Sequence, residues 1–210
     1  MKANTIKNSI LLILLFITCY NAVYFKKLNA ITKEGGQKFD ANAYAASLWN
    51  TKMPGVIDAA IGLDQLLQSI KSDADQAFEK NTHALAIGNY RYAMVKMTGT
   101  VVAVHEDDFI IETDIVGSKK QLLVTTEFIY GSAIRDASGL IDVKDFTNAS
   151  DLNSIAEALN VTVKKTVIEP ARKNLVTGVK LNLVAAVELN KENIVLDQLV
   201  LQPVQIKTVF

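Results

Sequence analysis

The sequence predicts an α+β protein in three parts, and three observations carry that prediction. An apolar run opens the chain, apolar residues then recur at helical spacing to about residue 80, and from Tyr90 the period shortens to two. The 210 residues, half of them apolar, suffice for one compact domain with an appendage. The expected divisions are a signal or anchor segment over 1–29, a helical N-terminal lid over 30–86 and a β-rich domain over 87–210.

Lys2 and Lys7 precede the apolar run, which spans 17 residues from Ser9 to Phe25 and is interrupted only by Thr18, Cys19 and Asn21. At about 1.5 Å per residue a helix of that length covers roughly 26 Å, slightly less than a hydrocarbon core of about 30 Å. The basic flank and the absence of acids before Glu34 point to an N-terminus held in the cytoplasm and an exported remainder. Lys26 and Lys27 beyond the run pull the other way. Four fates stay open. Signal-peptidase cleavage wants an A-x-A-like site, and Tyr20-Asn21-Ala22 supplies only its second small residue. Acylation of Cys19 wants a small residue before it, where Thr18 stands. The third fate, favoured here, is an uncleaved membrane-anchor helix with Cys19 as an inert thiol, and the fourth is a buried helix of a cytoplasmic protein.

Gly35-Gly36 separates this segment from the lid. Asp40 is the expected N-cap of a helix carrying Tyr44, Leu48 and Trp49, with Pro54-Gly55 as its stop. Val56, Ala60, Leu63, Leu66, Leu67 and Ile70 then form one helical stripe, opposite Asp58, Asp64 and Lys71. Beyond Tyr90, a long strand through Val104 with Gly99 as bulge or bend leads to strands at 109–115 and 121–126, joined by turns at 105–108 and 117–118. Leu152, Ala156, Leu159, Val163 and Val167 predict a helix from about Asn148 to Ile168, ended or kinked by Pro170. Two closing strands are expected at 178–189 and 194–206, with Pro203 marking an edge or strand end. The order of three strands, a helix and two strands, with a glycine bend in a long first strand, is that of an OB-like five-stranded β-barrel with its helix between strands 3 and 4. A mixed sheet of the same elements is the alternative.

Composition narrows the function. With 22 basic and 22 acidic residues the chain lacks the cationic excess that nucleic-acid binding requires. One Cys and two His offer neither an intramolecular disulfide nor a zinc site, so no metal and no cofactor is expected. The sequence contains no G-x-x-x-x-G-K-S/T, G-x-S-x-G or H-E-x-x-H motif. Glu106-Asp107-Asp108 reads as a solvated turn, because three adjacent acids cannot all face one point.

Several segments carry a resemblance: Phe39-Asp40, Tyr44-Ala45, Leu48-Trp49 with Lys52 and Pro54, Gly99-Thr100-Val101, Gly131-Ser132-Ala133-Ile134-Arg135-Asp136-Ala137, and Asp145-Phe146 with Asn148. From about Tyr24 to Pro203 the chain resembles the predicted periplasmic lipoproteins grouped as domain of unknown function 2291. The resemblance implies an envelope-anchored extracytoplasmic protein, often encoded beside sugar ABC-transporter genes. It supplies no catalytic residues, and Thr18 departs from the lipoprotein pattern before Cys19.

Arg135 and Asp136 are the candidate ligand-binding pair, since a guanidinium grips carboxylates or hydroxyls and an adjacent carboxylate accepts from hydroxyls. Trp49 would supply a stacking face. The competing reading has the pair pinning its own loop and Trp49 sealing the lid. The expected function is a non-enzymatic accessory protein anchored in the inner membrane through residues 9–25 and facing the periplasm or cell exterior, with ABC-transporter components as partners. The alternative is a small-molecule module that binds a sugar-like solute at the 131–136 loop.

Overall fold

Eleven consecutive pairs tie β2 (Tyr90–Val104) to β5 (Lys180–Asn190), from Tyr90 opposite Asn190 to Thr100 opposite Lys180, and this antiparallel ladder is the spine of the molecule. The computed structural model describes residues 39–85, 88–129, 131–195 and 198–209, so the predicted anchor helix and Cys19 lie outside the described residues. From Thr100 onward β2 also pairs with β3 (Asp108–Ile115), which pairs with β4 (Ser118–Thr125). β6 (Val200–Thr208) runs parallel to β4 and antiparallel to β5. The pairings thus form a closed circuit, β2-β3-β4-β6-β5 and back to β2. A sixth, two-residue strand, β1 (Ile61–Gly62), lies parallel to β2 at Val95 and Lys96.

Gly99 marks the handover of β2 from β5 to β3. A Cβ there would lie 2.6 Å from the Glu112 carbonyl oxygen and from the Ile111 side chain, so only glycine allows β3 to come this close. The bulge itself lies three residues on, at Val102, where the register shifts between Val101 and Ala103. The apolar interior gathers Val95, Phe109, Ile111, Leu122, Leu183 and Leu201, and Leu63, Leu66 and Phe78 enter it from the helices. β5 is buried on both faces from Leu183 to Val187, which explains its unbroken apolar run.

The helices are α1 (Ala41–Thr51), α2 (Met53–Ala59), α3 (Leu63–Ser72), α4 (Ala74–Asn81), α5 (Ala133–Ala137), α6 (Ala149–Val163) and α7 (Glu169–Arg172). Asp40 caps α1 by accepting from the Ala43 amide at 3.0 Å, and Asn148 caps α6 by accepting from Asp151 at 2.9 Å. Two sequence expectations are corrected. The stripe from Val56 to Ile70 is two helices, because Ala60 and Gly62 are extended and β1 places its backbone beside β2. Pro170 does not end the helix: a π-helical stretch over Lys164–Ile168 leads into α7, and that wider turn relieves the clash a proline ring makes with the carbonyl four residues back. At Pro203 the edge reading holds: β6 pairs with β4 at Val200 and Leu201, and beyond them β5 is its strand partner among the described residues. Pro203 faces Ala185 where the register shifts, a position that tolerates the missing donor.

Candidate functional site

The Gly131–Ala137 segment turns sharply at Gly131, whose φ of 72° favours glycine, and enters α5. All five residues of α5 are buried. Arg135 and Asp136 are 7% and 5% exposed, so the candidate pair is turned into the protein. The Arg135 Nε donates to Asp136 Oδ1 at 2.7 Å, and Nη1 donates to the Leu152 carbonyl in α6 at 2.9 Å. Ser132 Oγ donates to the other Asp136 oxygen at 2.8 Å, and Ser138 Oγ closes the segment on the Arg135 carbonyl at 2.6 Å. Each buried charge therefore has a charged partner and a further hydrogen bond, the condition under which burial is tolerated.

Tyr92 on β2 borders this network. Its phenol pKa is pushed up to about 12, first by burial, then by hydrogen bonding to Glu188 and that carboxylate's charge, with Asp136 adding a smaller push and Ser132 opposing.

A cleft of about 630 Å³ opens beside the pair, between the 127–132 segment and α6. Ser132 lines it, whereas Arg135, Asp136 and Trp49 do not. Trp49 is half-buried on α1, which packs along α6. One wall is a polar stripe of α6, Asn153, Glu157, Asn160 and Lys164, at spacings of four, three and four, and Phe128, Ile129, Ala156 and Val161 add apolar surface. At the rim Glu127 accepts from Lys164 and, at 2.8 Å, from Arg172. The Lys164 hydrogen bond and the two positive charges hold the Glu127 carboxyl below its usual range.

Asn160 is the residue that sequence reasoning missed. It is 8% exposed, and its Nδ2 donates to the Gly131 carbonyl at 3.0 Å. Its Oδ1 is buried and has no partner among the described residues. A buried amide oxygen left unpaired costs about 1–3 kcal/mol. The available signal was a polar residue inside the apolar stripe Ala156, Leu159, Val163.

Among the described residues no cluster of three or more His, Cys, Asp or Glu could hold a metal ion, and no helix is long and apolar enough to cross a membrane. Asp108 of the acidic turn instead contacts His105 Nδ1 at 2.6 Å.

No curated protein matches the chain. Among solved structures it is similar to an OB-fold protein from Thermotoga maritima, with a TM-score of 0.70 and 21% identity over 82% of this chain and 100% of that one. At that identity the likeness speaks for the fold alone, and it agrees with the strand circuit described above. The sequence model of the predicted periplasmic lipoproteins called DUF2291 matches residues 13–207, nearly the whole chain, including every segment that carried the resemblance. The chain belongs to the DUF2291 family of predicted periplasmic lipoproteins.

Proposed function

We propose that this protein is a non-enzymatic accessory protein of the cell envelope, anchored in the inner membrane through residues 9–25, whose OB-type barrel holds a small hydroxyl-rich solute for an uptake system. The observation that carries the binding half is a cleft lined by both Ser132 and Asn160, whose buried Oδ1 has no partner among the described residues. Ser132 donates a hydrogen bond to Asp136 and, as a hydroxyl, still has acceptor capacity for a ligand donor. Arg135 and Asp136 act from beneath, fixing the 131–132 turn, and are positioning residues. A cleft of mixed apolar and polar lining, with both amide and hydroxyl groups, suits sugar-like molecules. The uptake connection draws its support from the family resemblance and the proposed placement at the membrane.

Thermal unfolding of the full-length protein in mild detergent, against a panel of neutral mono- and disaccharides, tests the binding half. A ligand at about 100 times its Kd should stabilise by roughly 2.7 kcal/mol. Asn160→Leu, which removes the acceptor, should abolish that shift. No response to any sugar, or a response unchanged by Asn160→Leu, overturns it. For the accessory half, cross-linking in the native membrane should recover transporter subunits with the tagged protein, and their consistent absence overturns that part.

A further inference from the structure

A second cleft, of about 430 Å³, lies between α2, α4 and the segment following α5, and its lining residues do not overlap with those of the first. Its ionisable side chains are all bases: Lys52 from the α1–α2 junction, Lys80 from α4 and His83 beyond α4. No carboxylate lines it, although the whole chain balances 22 acids against 22 bases. Asp58, Glu79 and Asp136, the acids adjacent in sequence to lining residues, lie outside the lining, and Asp136 is paired with Arg135. Lys52 and Lys80 make no ion pair among the described residues, in contrast to Lys119 with Glu112 and Lys164 with Glu127.

His83 is held from two sides. Its backbone exchanges hydrogen bonds with Tyr92, 2.7 Å from its own N–H and 2.8 Å to its carbonyl. Its ring lies against Gly139, where an added Cβ would approach the imidazole to 2.6 Å. Gly139 thus leaves room for a ring fixed at the edge of the cleft. Beneath the cations the floor is apolar and buried, formed by Ala60, Met94 and Ala137.

The geometry points to a binding site for a small organic oxyanion, a phosphate monoester or a carboxylate with a compact apolar body. The lysines and His83 would face the charge, and the floor would take the body. Lys52 and Lys80 are exposed and come from separate elements to line one open cleft, and an anion seated between them would gain from both charges more strongly as water leaves the apolar lining.

Isothermal titration calorimetry on the full-length protein in neutral detergent tests this with phenyl phosphate, benzoate and, as the uncharged counterpart, benzyl alcohol. At about 150 mM salt, where long-range attraction is screened, one or both anions should bind and benzyl alcohol should not. The Lys52→Gln/Lys80→Gln pair should weaken the anion by about 100-fold, roughly tenfold per lysine. Lys71→Gln/Lys173→Gln, which alters exposed lysines elsewhere, should leave binding unchanged. Ala59→Glu, which introduces a carboxylate at an exposed lining position, should also abolish binding, and Trp49 emission verifies that each variant is folded. Three results overturn the site: no heat with either anion, equal binding of benzyl alcohol, or binding that survives both the paired lysine change and Ala59→Glu.

Discussion

Replacing Arg135 with Met separates a structural pair from a ligand-gripping one. In the folded protein the Arg135 guanidinium shares a buried site with the Asp136 carboxylate at 2.7 Å and ties α5 to the Leu152 carbonyl. Arg135→Met leaves that carboxylate, 5% exposed, with Ser132 Oγ as its side-chain partner. Breaking a buried pair by removing one member costs about 3–5 kcal/mol, because the remaining charge stays desolvated. The lost bond to Leu152 adds less, since that carbonyl is also placed to accept from the helix. Against a total stability of about 5–15 kcal/mol the loss is large, and at about 2–4 °C per kcal/mol for a chain of this size it lowers the Tm by roughly 6–20 °C. Urea unfolding of the full-length protein in mild detergent, followed through Trp49, the chain's one tryptophan, measures it. Arg135→Met/Asp136→Leu, which removes both charges, should recover much of the loss. A single-variant loss below about 1 kcal/mol, or a double variant worse than the sum of both singles, would refute a buried structural pair.

Two further predictions rest on backbone geometry and titration. Gly99→Ala should destabilise by about 1–3 kcal/mol because its Cβ meets the Glu112 carbonyl, whereas Gly55→Ala, with nothing within 4 Å, should stabilise by about 0.4–1 kcal/mol; urea midpoints of equal or reversed order would contradict the packing argument. The Tyr92 phenol has a folded pKa of about 12, above its ordinary 10.0. Its stabilising contribution is therefore present below pH 10 and lost as pH rises towards 12. Absorbance titration near 295 nm should show a late-ionising tyrosine that Tyr92→Phe removes, and uniform titration near pH 10 would count against the burial and the Glu188 contact.

The parts of the fold legible in the sequence are those where local pattern and tertiary demand agree. Tyr90–Val104 reads as a strand because one face, with Ala93, Val95 and Val101, meets the core, although Met94 on the other face is buried too, and Asp40 and Asn148 announce helix starts because their side chains serve backbone amides within three residues. The failures occur where distant contacts decide. Val56, Ala60 and Leu63 keep helical spacing, yet Ala60 and Gly62 leave the helix so that β1 can lie beside β2, and a one-dimensional period does not register a neighbouring strand. The closing strand expected from residue 194 starts at Val200, where pairing with β4 begins. At the site, Arg135-Asp136 was singled out by residue type, while the side-chain direction came from a five-residue helix buried throughout, where no polar face exists to read. Asn160 carries no readable motif, being an amide in an apolar stripe, and its placement matters through both the Gly131 carbonyl it bonds and the oxygen it leaves unpaired.

That contrast bears on what the Gly131–Ala137 segment is for. A surface Arg-Asp pair can touch a ligand directly, but it is free to move and gains little from its own interaction. The pair here gives up access and fixes a turn: the Asp136 carboxylate accepts a hydrogen bond from the Ser132 hydroxyl, its amide donates to the Ser132 carbonyl at 2.8 Å, and Asn160 ties Gly131 to α6. The groups facing the 630 Å³ cleft are consequently the small residues of the segment, Gly131 and Ser132, held by the charged ones behind them. Binding groups held rigid before a ligand arrives lose less freedom when it does, so a buried pair can raise affinity without contacting the ligand. The two roles separate by experiment. Ser132→Ala should reduce solute binding while the Arg135–Asp136 bond persists, and Arg135→Met/Asp136→Leu should weaken binding only as far as it loosens the turn.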